Sequence, residues 1–283
     1  MTKIFNKRML RNVVFHLLII GVGFVMLYPL LWMLVSSFKP NSEIFKSFSL
    51  TIKSFTLENY ISGWQGISGI TYTRFYLNSF FLVALSMFGN IVSCLMAAYA
   101  FGKLKFPLKN FWFALMMVTL MLPKHVKLIP QYVMYNNFGW INTYLPLVVP
   151  KFLAQEGFFI FLITQFIRGL PREIDEAATV DGCGPFRLFS NIVVPLSVPA
   201  IVTTAIFSFI WTWNDFFTQM IYLNDIKKYT ISLALRQLVD AMGNSSWGGL
   251  FAMSAVSLVP LFLMFVVFQN YLVEGITSGS VKG

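Results

Sequence analysis

Residues 169–195 read GLPREIDEAATVDGCGPFRLFSNIVVP, the one long polar stretch of helical pattern that lies between two apolar spans. Pro171 and Pro185 each lie where a helix can begin, because the fixed φ and missing N–H of proline cost little in a first turn. Gly182 lies where the first helix must end, since glycine readily adopts left-handed backbone geometry. The stretch therefore predicts two short helices joined by a sharp bend.

Both predicted helices have an apolar and a polar face. In the first helix, small and apolar residues recur at helical spacing: Ile174, Ala177 and Ala178. Acidic residues fill its N-terminal half, where negative charge suits the helix dipole. In the second helix, apolar residues recur opposite a polar face: Phe186, Phe189 and either Ile192 or Val193. The hairpin is therefore predicted to bury one face and to leave the other in water.

These residues resemble the EAA loop of permease subunits of binding-protein-dependent ABC importers. The matching positions come in the same order and spacing: Glu176, Ala177, Ala178, Gly182, Ile192 and Pro195. Asp181 is the residue usual in the sugar-importing branch of that family. The sequence departs from the family pattern at Val194, where leucine is commoner, and at Cys183, where alanine is. The alternative for the stretch is an amphipathic interfacial hairpin of another kind of membrane protein.

The resemblance implies that the hairpin is cytoplasmic and docks into a cleft of an ATP-hydrolysing subunit. The residues expected to couple the chain to that subunit are then the six matching positions together with Asp181. The implied partners are a second, different permease subunit, two ATP-binding subunits and an extracytoplasmic solute-binding protein. No cofactor is expected on this chain, because ATP and Mg²⁺ would be bound by the partner ATPase subunits.

Composition indicates a membrane protein. The chain has 283 residues, of which 57% are hydrophobic and 11% charged, whereas soluble proteins carry about 25% charged residues. The net charge of +10 does not indicate a nucleic-acid partner, because the basic residues are scattered singly along loops. We therefore expect one integral membrane domain, residues 1–283, in the lipid bilayer of the cell membrane.

Six apolar spans are predicted, with the boundaries 13–38, 75–101, 111–135, 144–167, 196–222 and 250–272. Pro123 is expected to break the third span, and Glu156 with Gly157 interrupts the fourth. The remaining long segments are the polar loops 39–74 and 224–248, the coupling loop 169–195 and the tail 273–283. The predicted fold is all-α, with six transmembrane helices and a cytoplasmic coupling hairpin.

Charge counting tests the orientation of these spans. Six spans put both termini and the hairpin on the same side, and the segments on that side hold eleven Lys and Arg residues. The two loops on the opposite side hold seven in a similar length. Cytoplasmic loops carry an excess of Lys and Arg, so both termini are predicted to be cytoplasmic.

No catalytic motif is present in the sequence. His16 and His125 lie on different spans, and Cys94 and Cys183 form no CxxC pair. The GxSxG, HExxH and GxxxxGK[ST] patterns are all missing. The chain is therefore predicted to be a transport subunit rather than an enzyme, with ATP hydrolysed by a partner.

The C-terminal tail resembles the glycine-rich C-terminus of the smaller permease in maltose-type importers. The residues that carry this resemblance are Gly279, Val281, Lys282 and Gly283. In that family the tail reaches into the interface between the two ATPase subunits, so the resemblance implies partner contact. A disordered tail is the alternative.

Two groups of residues are candidates for the substrate path: Lys124, His125, Lys127, Trp213, Asn214 and Asp215. Ionisable groups at membrane depth are costly unless they face protein or a water-filled path. Lysines three apart share a helix face, and this pair suggests the hypothesis of an acidic saccharide. The alternatives are that the lysines extend to the outer surface and that the aromatic run around Trp213 is an interfacial cluster.

The predicted function is that of a permease subunit of an ATP-driven importer, which moves a sugar or oligosaccharide from an external binding protein into the cytoplasm. An ABC permease for a non-sugar solute is one alternative. A stand-alone secondary carrier is another, but it would need coupling charges inside the spans. Glu156 and the Lys124 group form no evident relay across several helices.

Overall fold

A computed structural model describes residues 2–46, 48–241 and 247–277. Within these ranges the chain is helical, and its only β pairing is an isolated bridge between Ile67 and Ile70. The α-helices follow in chain order: α1 Thr2–Ser36, α2 Asn41–Ile44, α3 Glu58–Gln65, α4 Tyr72–Gly102, α5 Lys109–Leu120, α6 Lys124–Asn137, α7 Leu145–Phe152, α8 Gly157–Gly169, α9 Arg172–Val180, α10 Pro185–Leu188, α11 Val194–Leu196, α12 Val198–Asn214, α13 Phe217–Tyr222, α14 Ile231–Ala241 and α15 Trp247–Thr277. A π-helical turn, Phe189–Val193, joins α10 to α11, and Ile226–Lys228 forms a 3₁₀ turn.

Four stretches of the described chain are long and apolar enough to cross a membrane: Met9–Ser36, Tyr72–Gly102, Leu145–Gly169 and Trp247–Tyr271. Two further pairs of helices meet the same criteria but are bent. α5 and α6 make an angle of 101°, and the segment Pro185–Leu196 makes an angle of 72° with α12. The number of candidate spans rises to six when each bent pair is counted as one broken span.

The breaks in these helices have local causes. α5 and α6 separate just before Pro123, which has no N–H to continue a helix and whose backbone is extended, with ψ of 130°. α7 and α8 separate at residues 153–156, where Ala154 has a positive φ of 53°. Both interruptions were predicted from the sequence, the first from Pro123 and the second from Glu156 and Gly157.

The predicted fifth span, 196–222, is not one helix. α12 ends at Asn214, and Asp215 is extended, with φ of −68° and ψ of 104°. The Asp215 carboxylate accepts a hydrogen bond of 3.1 Å from the backbone N–H of Thr218, so it satisfies an otherwise unpaired donor at the start of α13. Asp215 therefore begins a new helix instead of continuing the old one.

Two polar segments contain more helix than the sequence indicated. The predicted loop 224–248 holds α14, whose apolar residues recur at helical spacing and are buried: Ile231, Leu233, Ala234 and Leu238. The predicted tail, 273–283, continues α15 as far as Thr277. Its remaining residues, with Gly279, Val281, Lys282 and Gly283 among them, lie outside the described residues.

The chain forms two compact units, and the first comprises residues 1–72 and 235–259. In this unit the polar segment after α1 is folded back through buried hydrogen bonds. Asn59 donates from its amide nitrogen to the carbonyls of Ser37 and Lys39, both at 2.8 Å. The hydroxyls of Tyr72 and Ser257 lie 2.7 Å apart.

The second unit comprises residues 73–234 and 260–283 and contains both candidate sites. Its apolar core is formed by α4, α8, the π-helical turn and α12, with buried residues that include Ala98, Ile163, Val193 and Ala200. α4 and α8 approach closely at Gly102, where an added Cβ would lie 2.6 Å from Ile167 Cγ2. This core supports the hairpin.

Candidate functional site: a helical hairpin and a polar cavity

The hairpin of α9 and α10 is bent by a Schellman motif. Gly182 has a φ of +75°, and its N–H donates to the Thr179 carbonyl at 3.1 Å while the Cys183 N–H donates to the Ala178 carbonyl at 2.9 Å. These two bonds satisfy carbonyls that the end of a helix leaves unpaired. The first helix begins after Pro171 and the second at Pro185. Both starts, and the bend at Gly182, agree with the prediction from the sequence.

Three contacts attach the hairpin to the end of α4. Lys103 Nζ lies 2.5 Å from Asp175 Oδ2, an ion pair that is largely shielded from solvent. The Tyr99 hydroxyl donates to the Pro185 carbonyl at 2.9 Å, and its ring centroid is 5.0 Å from that of Phe189. Both helices of the hairpin are therefore joined to α4, one by charge and the other by a hydrogen bond and ring packing.

The opposite face of the hairpin is exposed. Val180 and Phe186 are 87% and 80% exposed, although both are apolar. Five of the predicted coupling residues are exposed as well: Glu176, Ala177, Asp181, Gly182 and Pro195. Ala178 is buried and Ile192 is half-buried. The sequence placed Phe186 on the same face as Phe189, but only Phe189 packs against the core. An exposed face that combines apolar and acidic residues is suited to binding another protein.

A cavity of about 500 Å³ lies within the second unit. Its walls are supplied by α4, α6, α7, α12 and α13, and by the break before α8. Five of the lining residues are ionisable: His125, Lys127, Lys151, Glu156 and Asp215. Hydroxyl, amide and aromatic side chains line much of the rest. The cavity is of the size of small-molecule binding sites.

Four of the six predicted substrate-path residues come together on this cavity: His125, Lys127, Asn214 and Asp215. Trp213 does not line it, because its side chain is buried with ring centroids of Phe80 and Phe209 at 5.0 and 5.5 Å. Lys124 is the first residue of α6, and its side chain lies outside the described part of the molecule. Trp213 thus acts in packing, while its neighbour Asn214 faces the cavity.

Charges on the cavity wall are balanced. Lys151 and Glu156 form an ion pair across the break between α7 and α8. The second lysine, Lys127, is in no ion pair with any described side chain, and Asp215 caps α13. Counting these four residues, the formal charge of the wall is zero, but Lys127 gives one part of it positive character.

Sequence reasoning missed several polar residues on the cavity wall, and three of them are Ser86, Asn90 and Tyr222. Each is buried, and the Ser86 hydroxyl, the Asn90 amide oxygen and the Tyr222 hydroxyl have no hydrogen-bond partner within the described structure. Buried polar atoms without a partner are uncommon in folded proteins. The available signal was Asn90 itself, an amide near the middle of the predicted span 75–101.

Apolar helices able to cross a bilayer, a polar cavity among them and a capped hairpin with an exposed face together define the membrane component of a transporter. The chain belongs to the family described as the binding-protein-dependent transport system inner membrane component, whose model matches residues 89–278.

Curated relatives match most of the chain. The probable ABC transporter permease protein YurM of Bacillus subtilis is 38% identical over 258 residues, which cover 90% of this chain and 84% of the relative. UgpE of Brucella abortus, an sn-glycerol-3-phosphate transport system permease protein, is 30% identical over 279 residues. The match covers 96% of this chain and 98% of UgpE. AraQ of Halalkalibacterium halodurans, an arabinooligosaccharides transport system permease protein, is 30% identical over 98% of this chain and 100% of its own length.

A solved structure shares the fold. The crystal structure of a bacterial ABC transporter involved in the import of the acidic polysaccharide alginate contains a chain that matches with a TM-score of 0.83 at 18% identity, covering 93% of this chain and 96% of that one. The predicted all-α, polytopic membrane fold is thereby confirmed. The family also confirms that the chain is a multi-pass transport component of the inner membrane rather than an enzyme.

Proposed function

We propose that the chain is the permease subunit of an ATP-driven importer that receives a sugar or oligosaccharide from an extracytoplasmic binding protein and passes it to the cytoplasm. The observation that carries this proposal is the cavity in the second unit, which offers hydroxyl, amide and aromatic groups together. Saccharides present hydroxyls and apolar C–H faces, and such walls complement both. The name of AraQ, a relative that transports arabinooligosaccharides, supports the same substrate class.

The exposed face of the hairpin is proposed as the surface that binds the ATPase subunit. Its apolar residues Val180 and Phe186 provide area to be buried, while Glu176 and Asp181 provide charges at its edge. Glu176, Ala177, Ala178, Asp181, Gly182, Ile192 and Pro195 remain the proposed coupling residues. Ala178 and Gly182 act through the shape of the hairpin, because Ala178 is buried and Gly182 forms the bend.

The full assembly is proposed to contain this chain, a second and different permease, two ATP-binding subunits and the binding protein. A solved alginate ABC transporter in complex with a periplasmic protein, which matches this chain with a TM-score of 0.63, supports the last of these. ATP and Mg²⁺ are proposed to bind the partner subunits alone. Both termini are proposed to be cytoplasmic, with the C-terminal residues Gly279 to Gly283 in contact with the ATPase pair.

Uptake by the purified complex tests the proposal. The chain is co-purified with its native subunits, placed in liposomes that contain ATP, and supplied with binding protein and labelled arabinotriose, maltotriose or an alginate trisaccharide. We expect accumulation of at least one saccharide that requires both ATP and the binding protein. Uptake of labelled glycerol 3-phosphate without any saccharide would favour a non-sugar solute, the class named for the relative UgpE.

An acidic saccharide remains the finer hypothesis. It rests on Lys127 and His125 on the cavity wall and on Lys124, whose side chain lies beyond the described atoms. The formal charge of zero for the wall as a whole favours a neutral saccharide instead. The Lys124→Gln/Lys127→Gln variant separates the two, with Lys105→Gln, an exposed lysine that does not line this cavity, as the control. Selective loss of alginate trisaccharide uptake supports the acidic substrate; equal loss of all saccharides, or no loss, contradicts it.

A further inference from the structure

We infer that this subunit itself binds the transported saccharide, through a hydroxyl-binding subsite on the cavity wall whose members are Asn90, Tyr222 and Ser86. The inference rests on the proposed function and adds to it the groups of the substrate that are recognised. These are neutral hydroxyls, and the subsite is distinct from the positive part of the wall at Lys127.

Asn90 is held so that one of its two polar atoms is left for a ligand. It lies on α4 and is only 1% exposed. Its amide nitrogen donates to the Ser208 hydroxyl at 2.8 Å, which fixes the plane of the amide. The amide oxygen has no partner in the described structure. Because the carbonyls of its own helix are acceptors too, this oxygen can be satisfied only by a donor from elsewhere.

Tyr222 is held equally firmly. It is 1% exposed, and its ring packs against those of Tyr132 and Tyr135, with centroids at 6.4 and 5.4 Å. Its backbone carbonyl accepts a hydrogen bond of 2.8 Å from the Asn142 N–H. The phenolic hydroxyl nevertheless lacks a partner among the described groups. The ring is therefore held rigidly on the cavity wall, with a hydroxyl that the described protein leaves unpaired.

Other unpartnered hydroxyls in the described structure differ from Asn90 and Tyr222 in two respects, their place and their chemistry. Thr164, Ser197 and Thr204 also carry buried hydroxyls without partners, but they do not line the cavity. Serine and threonine hydroxyls on a helix can turn toward the carbonyl one turn earlier, so Ser86 belongs to the subsite only through its place on the cavity wall, one helical turn from Asn90 on α4. An asparagine amide oxygen cannot do this because it has no proton to donate, and a tyrosine hydroxyl lies too far from its own backbone.

The chemistry of the unpartnered atoms selects the ligand class. Asn90 Oδ1 needs a donor, whereas the Tyr222 and Ser86 hydroxyls both donate and accept. A carboxylate or phosphate oxygen only accepts, so it leaves Asn90 unsatisfied. A saccharide hydroxyl donates and accepts, and it matches all three groups. Trp211 lines the same cavity with Phe159 stacked on its ring at 4.9 Å, and it provides aromatic surface for the C–H face of a sugar ring.

Tyr222→Phe is the sharpest test, because binding and packing roles predict opposite results. Removing a hydroxyl that has no partner in the protein leaves folding unchanged or improves it. If the hydroxyl binds saccharide, the same change raises the KM for saccharide uptake in the reconstituted transporter roughly three- to tenfold, the loss typical of one hydrogen bond. Asn90→Leu and Ser86→Ala are expected to act in the same direction.

Matched controls come from the unpartnered hydroxyls outside the cavity. Thr204→Val and Ser197→Ala remove the same kind of group and are expected to leave the KM unchanged. Tyr222→Phe with wild-type thermal stability and wild-type KM for all three saccharide probes would overturn the subsite. If the wild-type complex takes up none of the three, the proposed function fails first, and the subsite falls with it.

A second measurement reports occupancy directly. In a Cys94→Ala/Cys183→Ala background, Asn214→Cys, an exposed position on the same cavity wall, is labelled with a small thiol reagent during turnover, with and without each saccharide probe at millimolar concentration. We expect at least a threefold slowing of labelling by any saccharide that is imported, and no slowing by sodium sulfate, whose oxygens only accept hydrogen bonds. Unchanged labelling while a saccharide is imported rejects the subsite but leaves the proposed function intact.

Discussion

At the scale of single residues, Gly182 determines the direction of the second hairpin helix. Its φ of +75° lies where residues with a side chain are strained. No atom lies within 4 Å of a Cβ built at this position. The requirement for glycine is therefore one of backbone conformation and not of space.

Gly182→Leu is expected to destabilise the bend by on the order of 1 kcal/mol or more, because leucine disfavours left-handed geometry. The altered bend would re-aim α10, so we expect loss of uptake or loss of the ATPase subunit on co-purification. Gly184→Leu is the matched control, since Gly184 is also open to solvent but has an ordinary φ of −69°. Normal uptake and assembly in Gly182→Leu would contradict this role.

Local residue patterns could be read from the sequence, whereas groups that meet through the tertiary fold could not. Proline at a helix start and glycine at a helix end act through their own backbone, so the hairpin was predictable. The Asn90 amide meets Ser208, which lies 118 positions away in the sequence. Whether the oxygen of Asn90 is left without a partner depends on that packing, and no periodicity indicates it.

At the scale of helices, the hairpin and α4 are joined by the Lys103–Asp175 ion pair and by Tyr99. A displacement of the hairpin is therefore expected to move the end of α4. The middle of the same helix carries Ser86 and Asn90 on the cavity wall. This attachment gives a physical route from the ATPase-binding face to the cavity.

Reversing one charge of the pair is expected to uncouple the two sites. Lys103→Glu places like charges together, so we expect the number of saccharides imported per ATP hydrolysed to fall several-fold, measured in liposomes with both rates recorded. The double variant Lys103→Glu/Asp175→Lys should recover much of the ratio. Glu173→Lys makes the same charge change as Asp175→Lys on the exposed side of α9. Asp175→Lys alone is measured beside it. If Glu173→Lys lowers the ratio as much as Asp175→Lys, the ion pair is not what couples the two sites.

The helices themselves were only partly predictable. Apolar length indicated the long spans, because burial in lipid requires it. α14 was missed because its polar residues outweighed an apolar stripe that only packing makes decisive. The end of α12 was missed because Asp215 stops the helix by capping the next one, an effect that hydropathy does not detect.

At the scale of the whole molecule, the first of the four long candidate spans is the one least covered by the rest of the chain. None of residues 9–35 is buried. Side chains of this span must therefore be covered by lipid or by another subunit. The family places the chain in multi-component systems, which fits a surface of this kind.

A transporter assembled without the second permease is expected not to work. Purified chain, ATPase subunits and binding protein in liposomes should give saccharide uptake no higher than liposomes without ATP, and adding the second permease during reconstitution should restore it. The comparison is made at equal amounts of this chain in the membrane. Full uptake by the incomplete set would show that two copies of this chain suffice.

The π-helical turn at Phe189–Val193 implies an unusual tolerance to a change of chain length. Its wide ring, with the Val194 N–H bonded to the Phe189 carbonyl, accommodates one residue more than an α-helix would. Leu188 before the turn and Val194 after it pack against the same core. Deleting the exposed Asn191 is therefore expected to leave both sides in place and uptake near normal. Deleting Thr179 from α9 would turn Val180 and the bend at Gly182 by about 100° around the helix axis and abolish uptake. Equal damage from the two deletions would contradict this.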